Sequence, residues 1–368
     1  MSKDQPSTDP SPDASATTTF HSTDALLTAA QKALDDCHPD LALKFLHRAH
    51  AQSPTHPRVL VALGVCEMER MNAFEDDAAE LDPAAAAACA EAARTYFEQA
   101  AACSGSGADE LYEQYLYLGQ LSAGEEALRQ YRKGVHVLEK CLQRCKAAPP
   151  GSEQQQEEEK IVRRKLSDAL SSMAEIYMTD CCDLDDAEAQ CEALTHRATT
   201  ADPSNPEAHL VLASMRLSQC RPDDAIASIS TSMDLWFSPP SSSASSSSAS
   251  SSPPSQPQPQ PPYPARINLV KILLELSLHD RALAVLRTLE EENDEDPEAW
   301  YLYGWCLYRM GGGRAGADRD ADDDDEQEMD EGGDSSSNAV HVEDAEKADA
   351  WAEASECFEH FMQVMFVA

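Results

Sequence analysis

The chain has 368 residues, of which 66 are Asp or Glu and 28 are Lys or Arg, so its formal net charge is −38. This excess of negative charge argues against nucleic acid or an anionic membrane as a direct partner, because both are polyanions, and it favours a basic partner. Hydrophobic residues make up 42% of the chain but aromatic residues only 6%, a composition that favours helices packed through alanine and leucine.

The sequence contains no run of 18 apolar residues, and it opens with MSKDQPSTDPSPDASATTTF, which is polar and acidic where a signal peptide has an apolar core. We therefore expect a protein made in the cytosol, without a membrane partner. Its twelve cysteines are scattered over helix-patterned segments, which indicates small buried hydrophobes rather than a disulfide framework. The one cluster considered as a metal site is Cys181, Cys182, Cys191 and His196, but its spacing matches no known zinc site, so we predict no metal and no cofactor.

Residues 1–22 are rich in Ser, Thr, Pro and Asp and are predicted to form a disordered tail. Apolar residues at helical spacing then recur in pairs of segments, and the clearest pair is Asn205 to Trp236. After a turn at Arg221 to Asp224, its second half repeats Ala225, Ile229 and Ser232 at the i, i+4, i+7 spacing of a packed face. Two such helices cannot bury both apolar faces alone, so similar units must stack on them. The predicted unit starts are Thr23, Pro57, Tyr112, Ser167, Pro206, Tyr263 and Pro297.

Polar and acidic insertions interrupt this series. We predict one from Asn72 to Pro83, inside the second unit, and a polar linker over residues 147–160. Residues 23–237 then hold repeats one to five, and residues 238–262 form a Ser/Pro/Gln-rich disordered insertion. This insertion either joins two independent domains or is looped out of one continuous array, and we favour the loop because long loops cost little extra entropy. Residues 263–368 hold repeats six and seven, with an acidic disordered insertion at 311–345.

The paired pattern resembles the tetratricopeptide-repeat family, with its W-x2-L-G-x2-Y, A-x3-F and P positions. The seventh unit carries it most clearly, with Trp300, Gly304 and Leu307 on its first helix and Ala354 and Phe358 on its second. Gly64 occupies the glycine position of the second unit, where a missing side chain lets the paired helix approach closely. The resemblance implies an all-α tetratricopeptide-repeat superhelix of about seven helix pairs.

Three segments support a narrower resemblance: LYLGQLSAGEEALRQYRKGVHVLE, GWCLYRMGG before the acidic run, and DAWAEASECFEHFM after it. Together with the Ser/Pro-rich insertion before the sixth repeat, they are similar to the fungal assembly chaperones dedicated to large-subunit ribosomal protein four. This resemblance implies a protein of the cytoplasm and nucleus, monomeric alone, which captures the basic internal loop of its newly made ribosomal protein and escorts it to the nucleus. A tetratricopeptide scaffold subunit that joins folded proteins is the alternative, and no motif of a catalytic site supports an enzyme.

In this family the first helices line the concave surface, and their inward positions carry acids and aromatics, which suit a Lys/Arg-rich segment. The alternatives are that each acid is simply solvated and that Tyr301, Trp305 and Tyr308 pack in the core of the last helix. The carboxylate clamp found in other members is disfavoured, because Leu27 and Gln31 stand where that clamp needs Lys and Asn. The predicted partner-binding residues are Glu69, Glu113, Tyr117, Gln120, Asp168, Glu175, Met178, Glu207, Glu275, Glu298, Tyr301, Trp305 and Tyr308.

Overall fold

The computed structural model describes residues 22–76, 82–103, 111–147, 153–237, 260–312, 350 and 352–364, and none of these residues forms a strand. The described residues contain fourteen helices in seven consecutive pairs, which confirms the predicted all-α class. The helices are α1 Thr23–Asp35, α2 Pro39–Gln52, α3 Pro57–Asp76, α4 Pro83–Ala102, α5 Glu113–Gln120, α6 Gly124–Ala147, α7 Glu153–Met178, α8 Ala187–Ala201, α9 Pro206–Ser218, α10 Pro222–Trp236, α11 Tyr263–Glu275, α12 His279–Glu290, α13 Pro297–Met310 and α14 352–364.

Proline and a capping side chain fix several helix starts. Asn205 and Asp296 each precede a proline, and their side chains accept hydrogen bonds from the backbone N–H groups of Glu207 at 3.1 Å and Glu298 at 2.9 Å. Proline at the first helical position has no N–H group to satisfy, and the cap satisfies a following one. These local signals explain why α9 and α13 begin where the sequence predicts.

Three of the pairs share one tight turn between their helices. Cys37, Cys220 and Ser277 have φ angles of 57°, 55° and 58°, which is the left-handed conformation that ends many helices. In each turn the next backbone N–H donates to a carbonyl five residues back, as in His38 to Ala33 at 2.8 Å. The first, fifth and sixth pairs therefore turn back on themselves in the same way.

The described residues divide into two compact units between Leu118 and Gly119. In the first unit, α1, α2 and α3 share a core that includes Leu26, Leu46 and Leu63. A Cβ atom added to Gly64 would lie 2.5 Å from Cε1 of Phe97, which is fully buried on α4. Only glycine allows α3 and α4 to approach this closely.

In the second unit, one hydrophobic core runs through α9 to α13. Ile229 and Trp236 lie before residues 238–259, while Val270 and Leu286 lie after them, and all four belong to this core. The helices on both sides of the predicted Ser/Pro/Gln-rich insertion are thus parts of one packed body. This arrangement supports the looped-out interpretation of the insertion, which stays a prediction.

A buried arginine anchors the return of the chain into this core. Arg266 is only 2% exposed, and its guanidinium donates to the backbone carbonyls of Pro261 at 3.1 Å and Thr288 at 3.2 Å. It also forms an ion pair with Glu292. A buried charge is tolerated only when it is paired and hydrogen-bonded, so these contacts fix the start of α11 against α12.

Two expected boundaries are wrong. The insertion predicted to begin at Asn72 starts later, because α3 continues to Asp76, and the predicted linker at 147–160 is short, because α7 begins at Glu153 instead of Ser167. Residues 153–160 are all Glu, Gln or Lys, and residues 72–76 include Ala73 and Glu75; these are strong helix formers whether or not an apolar face is present. Most of the predicted disorder lies outside the described residues: residues 1–21 of the tail, 238–259 of the Ser/Pro/Gln-rich insertion and 313–345 of the acidic insertion.

Candidate functional site

First helices of successive pairs pack against one another in the second unit, where α7 contacts α9, α9 contacts α11 and α11 contacts α13. Between α7, α9 and α11 they leave a groove of about 270 Å³, which we call the acidic groove. Three of the predicted partner-binding acids meet here, although they are up to 39 positions apart in sequence: Asp168 and Glu175 on α7 and Glu207 on α9. The other lining residues are Ser171, Ser172, Leu210, Val211, Ser214, Ala265, Asn268, Lys271 and Ile272.

A buried polar network positions Asp168. Asn205 is fully buried, and its side-chain amide donates to Oδ1 of Asp168 and to Oγ of Ser167, both at 2.9 Å. Arg164 supports the same amide from the other side at 3.2 Å and pairs with Asp202 at 2.7 Å. Because each polar group here has a partner, the network holds the carboxylate of Asp168 in a fixed place.

The groove favours protonation of its acids. Desolvation raises the pKa of Asp168, although the hydrogen bond from Asn205 opposes this rise. Desolvation also raises the pKa of Glu207, and the nearby Asp168 carboxylate adds to that rise. The Glu175 side chain is exposed, yet the groove walls displace much of the water around its carboxylate, and this desolvation, together with repulsion from Glu207, raises its pKa. Keeping these three carboxylates ionised in the groove therefore costs free energy, which a positively charged ligand would offset.

The cation at the edge of the groove is already engaged. Lys271 on α11 lines the groove, and its Nζ atom lies 2.6 Å from Oε1 of Glu298 on α13. Glu298 is one of the predicted partner-binding residues, and the structure places it in this ion pair. Both side chains are about half exposed, so the pair itself contributes little to stability, about 0–1 kcal/mol.

The predicted aromatics of α13 form a second surface next to the groove. Tyr301, Trp305 and Tyr308 are 46%, 37% and 38% exposed, and Trp305 stacks on Tyr308 with ring centres 5.7 Å apart. Glu275 lies with Tyr301 and Trp305 around a shallow pocket on this face. The ring centres of Tyr301 and Phe361 of α14 are 5.8 Å apart. The Tyr301 ring is therefore partly exposed to solvent and partly packed against the last helix.

In the first unit, Glu113 and Tyr117 line a larger, mostly apolar groove of about 720 Å³ beside α1 and α3. Tyr117 stacks on Phe97 with ring centres 4.9 Å apart, and its pKa is raised by desolvation and then by the Glu113 and Glu69 carboxylates. Oε2 of Glu113 is buried without a hydrogen-bond partner. Leu27 and Gln31, the positions of the disfavoured clamp, also line this groove.

Two further predicted residues lie outside the acidic groove. Gln120 is exposed on α5 and Met178 is half-buried at the end of α7, and neither lines the acidic groove. Lys271 was not predicted, because its charge is opposite to the expected one. Ser171 was not predicted either, because a small polar residue on a packed helix gives no distinct sequence signal.

Within the described ranges, no group of three or more His, Cys, Asp or Glu side chains is arranged to hold a metal ion. Cys181 and Cys191, considered earlier as ligands, are both buried, whereas Cys182 is exposed. The thiol of Cys191 points towards the Ala174 carbonyl at 3.6 Å. Among the described residues, no helix combines the length and the apolar character that a membrane span requires.

Comparison with known proteins agrees with this architecture. The chain is 33% identical over 201 residues to a Schizosaccharomyces pombe protein named probable assembly chaperone of rpl4, an alignment that covers 54% of this chain and 53% of that protein. It is 31% identical over 302 residues to an Emericella nidulans protein of the same name, which covers 81% of this chain and 64% of that protein. The chain is similar to the rpl4 assembly chaperones. The resemblance to these chaperones drawn from the sequence is thereby confirmed.

A solved structure named Assembly Chaperone of RpL4 (Acl4), residues 1–338, superimposes with a TM-score of 0.62 at 29% identity, covering 79% of this chain and 97% of that one. No family model matches the chain. The chain spans 53% and 64% of the length of the two curated relatives, less than two thirds of each.

Proposed function

We propose that this protein is a dedicated chaperone that binds and shields a newly made, basic ribosomal protein of the large subunit, and escorts it from the cytoplasm to the nucleus for ribosome assembly. The observation that carries the proposal is the acidic groove, where three carboxylates from two helices face one cavity. The names of its relatives support the choice of a ribosomal protein as the partner. The proposal assigns a binding role and no catalytic one.

The groove suits an extended basic segment, such as an internal loop of the ribosomal protein. Within the described part of the chain, the carboxylates of Glu175 and Glu207 form no ion pair, and the nearby charges of Arg164 and Lys165 only partly offset the rise in the pKa of Glu207, so an incoming Lys or Arg would supply a direct counter-charge. The net charge of −38 would also keep RNA, itself a polyanion, away from the bound segment. Shielding would then work by occupying the basic groups before RNA reaches them.

A charge-reversed groove tests this proposal. Glu175→Lys combined with Glu207→Lys should speed dissociation of a Lys/Arg-rich ribosomal segment and reduce its ability to displace RNA from that segment. Asp168 is left unchanged because its bond to Asn205 ties it to the buried network. The matched control is Glu157→Lys combined with Asp234→Lys, which makes the same charge change at exposed positions on α7 and α10 outside the groove.

Dissociation rates by surface-immobilised kinetics, with circular dichroism as the folding control, distinguish the outcomes. If the groove and control variants dissociate equally fast, general charge and not the groove determines binding. Direct binding of RNA to the wild-type protein at physiological salt would contradict the shielding role itself.

The exposed aromatic face of α13 supports the second candidate, a scaffold that joins folded proteins. Exposed Tyr and Trp side chains are enriched at protein interfaces, and Tyr301, Trp305 and Tyr308 form such a patch. Affinity capture from cells followed by mass spectrometry separates the two functions. One abundant basic ribosomal protein supports the chaperone, and several folded subunits in equal amounts support the scaffold.

A further inference from the structure

The acidic groove contains an unsatisfied hydroxyl as well as its three acids. Ser171 on α7 is 6% exposed, and its Oγ atom is buried without a hydrogen-bond partner, yet the residue lines the groove. Buried polar groups in folded proteins nearly always have partners, so an orphan hydroxyl beside a cavity indicates that an absent ligand supplies one. This observation is independent of the charge in the groove.

The arrangement of acceptors defines the ligand. Glu175 approaches the cavity from α7 and Glu207 from α9, while the Ser171 hydroxyl lies between the two acidic positions of α7. Acceptors that are spread over two helices suit a donor group that is itself spread out. A guanidinium carries five N–H donors in a rigid planar fork, whereas an ammonium is a compact charge with three donors on one atom.

The walls and the size of the groove point the same way. Leu210, Val211 and Ile272 provide apolar surface against which the flat face and the methylene stem of an arginine can pack. The cavity of about 270 Å³ suits one long side chain, not a folded element. Lys271, the cation among the lining residues, is paired with Glu298 and so leaves Glu175 and Glu207 to the ligand.

We propose that the acidic groove is an arginine-selective pocket that takes one arginine side chain of the partner between Glu175 and Glu207, with Ser171 as a further acceptor. This inference rests on the proposed function, because the arginine belongs to the basic segment that the chaperone binds. It goes further because it names the residue type. A lysine at the same place would neutralise the charge, but its single ammonium nitrogen could not donate to acceptors on both helices at once.

The test compares two fluorescent probes of equal length and charge, a capped nonapeptide of arginine and one of lysine, by fluorescence anisotropy at physiological salt. The wild-type protein should bind the arginine peptide roughly ten-fold more tightly, because a guanidinium bridges carboxylates that an ammonium cannot. In the Glu175→Gln, Glu207→Gln variant this preference should fall to near one. Ser171→Ala should reduce the preference several-fold while leaving the affinity for the lysine peptide unchanged.

Acidic surfaces in general bind arginine somewhat better than lysine, so the control is Glu157→Gln combined with Asp234→Asn, which should keep the full preference. Glu207→Gln alone serves as a milder variant if the double one folds poorly. Equal binding of both peptides by the wild-type protein, or an unchanged preference in the groove variants, overturns the arginine pocket while the proposed function stands. If neither peptide binds, the proposed function fails and the pocket fails with it.

Discussion

The contact between Gly64 and Phe97 offers the most direct test of the packing described above. Gly64→Ala adds a Cβ atom that would meet the Phe97 ring at 2.5 Å, where real Cβ atoms essentially never lie. The ring cannot easily yield, because it is fully buried and stacked on Tyr117 with ring centres 4.9 Å apart. Overpacking of this kind costs about 1–3 kcal/mol, and this severe contact belongs at the upper end.

Alanine also stabilises a helix by about 1 kcal/mol relative to glycine, so the net loss should be about 2 kcal/mol. Removing the ring should remove the clash but keep the gain from alanine: in a Gly64→Ala, Phe97→Leu double variant, the loss should be smaller than the sum of the two single losses by about 3 kcal/mol. This rescue separates a steric contact from a general weakening of α3.

Hydrogen exchange measured on the amides of α3 and α4 reports the effect locally. A loss of 2 kcal/mol corresponds to a decrease in protection of about thirty-fold. Tryptophan fluorescence provides an internal control, because Trp236, Trp300 and Trp305 lie on helices of the second unit and no tryptophan precedes Gly119 in the sequence. Unchanged exchange, or losses that simply add in the double variant, would refute the close approach of the two helices.

Three further predictions concern the second unit. Because the pKa values of Glu175 and Glu207 are raised, the folded state binds protons more tightly than the unfolded chain, and stability falls as the pH rises through the ordinary glutamate value of about 4.3 towards the raised values. Glu175→Gln with Glu207→Gln should therefore raise the free energy of unfolding at pH 7 and give no gain below about pH 4; a gain independent of pH in denaturant titrations would contradict this origin. Glu298→Gln should free Lys271 to compete for the groove and weaken binding of a basic peptide by up to about five-fold, and adding Lys271→Gln should restore the affinity; anisotropy titrations in which the second change restores nothing would count against this competition. Replacing residues 238–259 by a short flexible linker should change the free energy of unfolding by about 1 kcal/mol or less, since the helices on both sides share one core; two separate unfolding transitions of the second unit in the intact protein would instead support a linker between independent domains.

The helix pairs could be predicted because their signals are local. Alanine and leucine at helical spacing, with proline at the starts, place α1, α9 and α13 at Thr23, Pro206 and Pro297 as expected. The start of α7 could not be predicted in the same way. Residues 153–160 carry no apolar stripe, and in isolation their Glu and Gln side chains fit a solvated linker as well as a helix extended from a packed segment.

The sequence could predict which residues line the candidate site, but not which of them pair with one another. Inward positions of the first helices identify Asp168, Glu175 and Glu207, and packing of α7 against α9 brings them to one cavity. The pairing of Glu298 with Lys271 depends on how α13 lies against α11, which no local pattern encodes. Which acids remain available to a partner is therefore decided by tertiary packing.

The left-handed turns described above also provide sites for chemical labelling. Cys37 and Cys220 occupy equivalent turns, one in each unit, and both are exposed. Burial raises the pKa of Cys66 to about 11 and that of Cys306 to about 12, so these thiols are almost wholly protonated and unreactive at neutral pH. After the exposed Cys182 and the partly exposed Cys103 and Cys145 are replaced by serine, a maleimide dye should react chiefly at the two turns. A donor and acceptor pair at these turns would then report, by energy transfer, how the spacing of the two units responds when a basic peptide binds.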